Sequence, residues 1–374
     1  MKVLYVGCYR EGTGWGQAAV DYILAMDSVG IDIVPRAIKL NNKQIELPKR
    51  ILELESRDSS GSDICIQHVL PHMMDYNSRF KKNIALYATE TSNFISSNWH
   101  RKINCMDEAW VINEQMVKAS KDSGVTIPIH IVPHAADFSK FESGYKKLDI
   151  PNIHGDFVFY FVGELNKRKH LEAFVRAFHS EFGTNEPVSI LIKSNKHGLN
   201  GDQCASQIQT VCNTVKAGLK KHPNISNYKE DLIITDFLSE KDMYRLHRTC
   251  NCFVMPSYGE AWCIPAFDAM GFGNTPICTN VGGMADFIGS AGKLVEGRWE
   301  PVYGMVDTFA DLFTSEEDWY SVDINHLRKT MRDVYTLHQE SDPEYSKMKQ
   351  QGLLHAFEYS YENIGNQIKD LLND

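Results

Sequence analysis

The chain has 374 residues, of which 43% are hydrophobic and 23% charged, and a formal net charge of -9. That length suits two domains, the composition is that of a globular protein, and the acidic balance argues against a nucleic-acid binder, which shows a basic face. Residues 1–150 are balanced in charge, the acidic excess lies beyond them, and the longest basic cluster is Lys167-Arg168-Lys169.

No apolar run reaches the roughly 7–15 residues of a signal core or the roughly 20 of a membrane span. This predicts a cytoplasmic protein and leaves contact with a membrane surface open. Nine cysteines without framework spacing read as buried free thiols in a reducing compartment. No HExxH and no His/Cys cluster at ligand spacing points to a metal.

In chain order, residues 2–7 read as a buried strand, and 17–29 as a helix from its apolar spacing at Val20, Ile23, Leu24 and Met26. Strands are predicted at 31–35, 63–69, 83–89 and 108–112. A helix starts at Asn113 and ends at Ser123-Gly124, and a further strand covers 127–132. A polar stretch around 138–151 reads as a linker, giving a first domain over 1–145. The pattern then restarts with strands at 156–162, 188–193, 232–235, 251–256 and 275–279. Helices at 170–182, 203–221, 240–248 and 265–272 separate them. A second domain over 151–344 and a helical segment over 345–374 follow, the helix itself read over 345–372. Such alternation predicts two doubly wound, Rossmann-like α/β units with a ligand cleft at the carboxyl ends of their strands.

Four stretches carry chemistry. The first, GTGWGQ at 12–17, opens a helix and reads equally as a phosphate approach or a plain tight turn. It is not the GxGxxG fingerprint, so NAD is disfavoured. In the second, VGELNKRKH at 162–170, Lys169 could reach a phosphate and Arg168 offers a planar fork for two of its oxygens. In the third, residues 255–276, Glu260 lies on a loop and Asp268 near the start of a helix opened by Pro265. Each carboxylate could accept from the adjacent hydroxyls of a sugar or a ribose. The fourth, 279–295, holds Gly282-Gly283, preferred as an ordinary turn. Glu90 and His134, each just after a strand, are weaker cleft candidates. His68 and His72, flanking a strand end, read as lone surface or core histidines.

The segment PSYGEAWCIPAFDAMGFGNTPICTNVGGMADFIGSAGKLV resembles the signature of retaining glycosyltransferase family four, part of glycosyl transferases group one. The resemblance covers nearly the whole chain, is strongest over 156–295, and implies the GT-B fold with a closing helix returning to the first domain. It also implies transfer of a hexose-type sugar from a UDP- or GDP-sugar to a hydroxyl acceptor. No metal or cofactor is implied, since the nucleotide-sugar is a co-substrate. Lys169 and Glu260 would be catalytic, Lys169 against the leaving diphosphate and Glu260 on the sugar hydroxyls. Asp268 would hold the ribose. Gly14, Trp15, Gly16, Gly163, Arg168, Ala261, Trp262, Cys263 and Ile264 would complete the donor site.

Four departures from the family pattern stand out: Glu164 where Arg is usual, Trp262-Cys263 where Phe-Gly is common, Asp268 in place of Glu, and an extra Asn274. Glu164 motivates one rival reading, a subunit that binds nucleotide-sugar without turnover. Another is glycosylation of a modified nucleic-acid base. The acceptor surface is expected in first-domain segments such as 41–49 and 71–82. Replacing Lys169 or Glu260 by Ala is expected to cost orders of magnitude in turnover and leave folding intact. Oligomeric state is open.

Overall fold

A computed structural model describes residues 1–40, 45–153 and 156–373; residues 41–44 of the expected acceptor segment 41–49 therefore lie outside the described residues. The chain forms two compact units. One comprises Met1–Ser139, Thr308–Asp318 and Ala356–Asp374, the other Lys140–Asp307 and Trp319–His355.

The first unit contains β1 (Lys2–Gly7), α1 (Gly14–Ser28), β2 (Asp32–Ala37), α2 (Lys49–Glu55), β3 (Ile64–His68) and β4 (Lys82–Leu86). Then come α3 (Trp99–Ile103), β5 (Glu108–Val111), α4 (Glu114–Asp122) and β6 (Ile129–Ile131). Its strands form one parallel sheet in the order β2-β1-β3-β4-β5-β6. The strand order reverses between β1 and β3, which makes that point the natural ligand crevice of the sheet. Pro35 sits inside β2, and an edge strand tolerates its missing N–H. α1 begins three residues before the expected start, because the Thr13 hydroxyl caps it by accepting from Gly16 N.

The second unit runs from α5 (Ser139–Glu142) through β7 (Phe157–Glu164), α6 (Leu171–Glu181), β8 (Val188–Asn195), α7 (Gly201–Leu219) and β9 (Asp231–Ile234). It continues with α8 (Glu240–Thr249), β10 (Cys252–Met255), α9 (Ile264–Gly271), β11 (Ile277–Thr279), α10 (Gly283–Phe287) and β12 (Lys293–Val295). The sheet order is β12-β11-β10-β7-β8-β9, again parallel, with the reversal between β7 and β10. Phe157–Phe161 of β7 are all buried, as expected of a strand covered on both faces. Asn274, the extra residue, has a structural task. Its amide donates to Tyr160 Oη and to His247 O at 2.7 Å each, tying α8, β7 and the end of α9 together.

Two features were not read from the sequence. A small sheet pairs β13 (Gly297–Pro301) with β14 (Asp318–Val322), and α11 (Ile324–Gln339) follows it. The expected single tail helix is two helices, α12 (Pro343–Glu358) and α13 (Tyr361–Asn373). The break falls where Ala136 N donates to Tyr359 O at 2.9 Å and Ala136 bridges to Ser360. α13 then packs on α1 within the first unit. Ile364, Ile368 and Leu372 join the core beside Ala25 and Met26, and Tyr361 Oη donates to Asp21 at 2.6 Å. The cysteines among the described residues are all free thiols, buried except for Cys105.

Candidate functional site

The switch point of the second sheet brings two loops together. The loop after β7 carries Arg168 and Lys169, and the loop after β10 carries Glu260. Lys169 Nζ donates to both Glu260 oxygens, at 2.7 and 2.9 Å. Arg168 Nη1 lies 3.0 Å from Oε1 and donates to Gly259 O at 2.5 Å. The Ser257 hydroxyl donates to the same carboxylate at 2.9 Å. Glu260 is only 6% exposed. Burial pushes its carboxyl up, but Lys169, Arg168 and the hydrogen bonds outweigh that and hold it below the usual range. The result is a buried carboxylate held charged by two cations.

Both loops contain non-glycine residues in the left-handed region, His170 at φ 51° and Cys263 at φ 75°. Such backbone persists only where the surroundings fix it, at about 1–3 kcal/mol each. Asn166 Oδ1 accepts from Lys169 N at 3.1 Å, turning the first loop. Gly282, at φ 61°, lies under the second: a Cβ there would stand 1.9 Å from Glu260 O. The Gly-Gly pair therefore serves close packing beneath Glu260, in line with its reading as an ordinary turn. Burial and the Glu260 charge push the Cys263 thiol up to about 12, which keeps it neutral.

The remaining expected donor residues divide. Gly163 lies half-buried at the end of β7, Ala261 is buried beside Glu260, and Ile264 is half-buried at the start of α9. Trp262 packs its ring against Phe287 at 4.9 Å and Phe267 at 5.7 Å. Asp268 is in the second turn of α9, where it pairs at 2.6 Å with Lys140 of α5. Lys140 lies over the rings of Phe141 and Tyr244. The Glu164 carboxylate accepts from His197 N at 3.3 Å and Asn166 Nδ2 at 3.4 Å.

In the first unit the glycine-rich turn is partly structural. Gly16 donates to Thr13, and a Cβ on Gly16 would meet Glu11 O at 2.0 Å. Trp15 stacks on His68 at 5.0 Å, at the β1/β3 switch point. His68 Nδ1 is 2.6 Å from Tyr5 Oη, and Tyr22 packs edge-on against both His68 and His134. Burial pushes both imidazoles down to about 3, so they are neutral at physiological pH. Glu90 is half-buried between buried Thr89 and Thr91 in the segment after β4.

Sequence reasoning passed over Glu317. It is 1% exposed, and burial pushes its carboxyl up to about 7. Phe313 N donates to it at 3.1 Å. Its segment, 308–318, is laced to the loop after β4: Ser92 N donates to Asp318 O at 2.8 Å, and the Ser96 and Thr314 hydroxyls are 3.0 Å apart. Nothing in the sequence marked this pairing, because its partners lie more than two hundred positions apart. Among the described residues no group of three or more His, Cys, Asp or Glu side chains could hold a metal, and no helix is long and apolar enough to cross a membrane.

Two parallel, doubly wound α/β units with an α13 return to the first define the GT-B fold class. Solved structures agree over the whole chain. Sucrose-phosphate synthase from Thermosynechococcus elongatus is similar with a TM-score of 0.66 at 12% identity, covering 100% of this chain and 98% of that one. HepE of Anabaena in complex with UDP-glucose gives 0.63 at 10%, covering 100% and 99%. A trehalose-6-phosphate protein from E. coli bound with UDP-2-fluoro glucose gives 0.68 at 10%, again covering 100% and 99%. No curated protein matches the chain by sequence. Residues 146–317 match the family described as glycosyl transferases group 1.

Proposed function

We propose that the chain is a retaining, metal-independent glycosyltransferase that moves a hexose-type sugar from a UDP- or GDP-sugar to a hydroxyl acceptor in the cytoplasm. The observation that carries this is the buried Lys169–Glu260 pair, with Arg168 beside it, at the switch point of a group 1 domain. Structural neighbours bound with UDP-glucose and UDP-2-fluoro glucose support a UDP-sugar donor.

In this reading the donor diphosphate takes over the cations that Glu260 now neutralises. Lys169 and Arg168 then stabilise the charge that develops on the leaving nucleotide. The freed Glu260 carboxylate accepts from the sugar hydroxyls. The acceptor hydroxyl attacks the anomeric carbon on the face the diphosphate leaves, and a phosphate oxygen takes its proton. Positioning and charge stabilisation supply the rate. Asp268 meets the ribose only once it parts from Lys140.

The test is a screen of UDP-, GDP- and ADP-sugars by thermal shift and nucleotide release, with and without EDTA. One UDP- or GDP-sugar should raise Tm and release its nucleotide, with EDTA making no difference. No donor-dependent stabilisation from any of them sinks the reading.

A further inference from the structure

We propose that Trp319, on β14, is a positioning residue that holds the Lys169–Glu260 pair in register by acting through Tyr258 and His170. The inference deepens the donor-site reading and rests on it for the ligand involved; the mechanical part stands on the structure.

The pair is made by two irregular loops, each with a left-handed non-glycine residue, and something outside the loops must hold both. Tyr258 is the common point. Its N–H donates to Arg168 O at 2.9 Å, and its carbonyl accepts from Tyr320 N at 2.9 Å. One residue thus laces the cation loop, the carboxylate loop and β14 together.

The side chains repeat the connection. The Tyr258 ring lies parallel to His170 at 4.1 Å and 15°, and to Trp319 at 4.0 Å and 12°. Two rings at that spacing cannot share one face, so Tyr258 is sandwiched between them. Tyr258 Oη is also 3.2 Å from His170 Nε2.

These rings flank the reacting side chains in sequence. His170 directly follows Lys169. Tyr258 directly follows Ser257, whose hydroxyl holds Glu260 Oε1. A displacement of Tyr258 therefore moves both ends of the pair.

Trp319 is 2% exposed, yet its buried Nε1 has no hydrogen-bond partner among the described residues. A buried indole N–H left unpaired is a cost. What the residue supplies in return is a flat face for Tyr258. A smaller aromatic ring supplies that face without the orphan donor, whereas an aliphatic side chain supplies only volume.

The experiment compares Trp319→Phe and Trp319→Leu in the full chain, each at a temperature where circular dichroism shows it folded. Trp319→Met takes the place of the Leu variant if that one does not fold. Amide exchange is read at 165–170 and 257–263, and UDP binding by titration calorimetry. The Leu variant should exchange at least tenfold faster in both loops with β7 and β8 unchanged, and should bind UDP at least tenfold more weakly. The Phe variant should stay within twofold of the parent on both measures. Parental exchange in the Leu variant, or a Phe variant as impaired as Leu, overturns the proposal. If the parent chain binds no UDP, the titration is repeated with GDP; if it binds neither, the donor reading falls, and the exchange result alone decides the positioning claim.

Discussion

Glu260 and Lys169 were expected to matter for turnover and to be dispensable for folding. The structure adds a stability cost to the second half of that expectation. A carboxylate 6% exposed and paired with two cations cannot lose one of them without a stability cost. Breaking a buried pair outright costs about 3–5 kcal/mol, and the remaining Arg168 should hold the loss for Lys169→Ala near 2 kcal/mol. Urea denaturation reads this, and a loss under 0.5 kcal/mol would contradict it; that threshold is roughly the scatter of ordinary surface substitutions. The Lys140–Asp268 pair makes a second case. Both side chains are nearly buried and 2.6 Å apart. Lys140→Met and Asp268→Asn should each destabilise by about 3 kcal/mol, and the double variant by clearly less than the sum. Additive losses in the four-protein cycle would show that the two groups do not interact.

At the scale of elements, loops rather than helices decide the site. The segment 308–318 reaches the loop after β4 through main-chain and hydroxyl hydrogen bonds, and buries Glu317 there. Burial raises this carboxyl from 4.5 to about 7 in the folded chain. The folded state therefore holds the proton more tightly than the unfolded one. The associated stability is fully present below about 4.5 and is lost as pH rises to and through about 7. Protection of 308–318 against amide exchange should fall over that window, and Glu317→Gln should flatten the dependence. An unchanged pH profile in the Gln variant would exclude Glu317 as its source.

For the whole molecule, the first unit is assembled from three separate stretches of chain, the last of them containing α13. α13 covers the apolar face of α1 with Ile364, Ile368 and Leu372. Burying each of these side chains contributes about 1.5–3 kcal/mol, so the helix carries a large share of the unit's stability. A chain ending at residue 360 should keep the second unit folded and leave the first open to limited proteolysis between 1 and 139. Equal protease resistance of both units in that truncated chain would refute this.

The alternation of apolar strands and amphipathic helices, and the placement of Lys169 and Glu260 in loops at strand ends, were legible in the sequence. Each is a local signal: side-chain periodicity dictates the element, and a short motif sits at the element's end. Arg168 beside Glu260 was half-legible, since its place in the cluster gave its charge and no direction. The β13–β14 sheet, the Lys140–Asp268 pair, the Tyr258–Trp319 stack and the burial of Glu317 were decided only by the tertiary structure. Their partners are distant in the chain, and no periodicity within one segment encodes a contact with another. The sequence by itself determined two parallel α/β units and a cation–carboxylate motif at the edge of the second sheet. The tertiary structure decided which carboxylate meets which cation, because burial and proximity belong to the packed chain and not to any stretch of it.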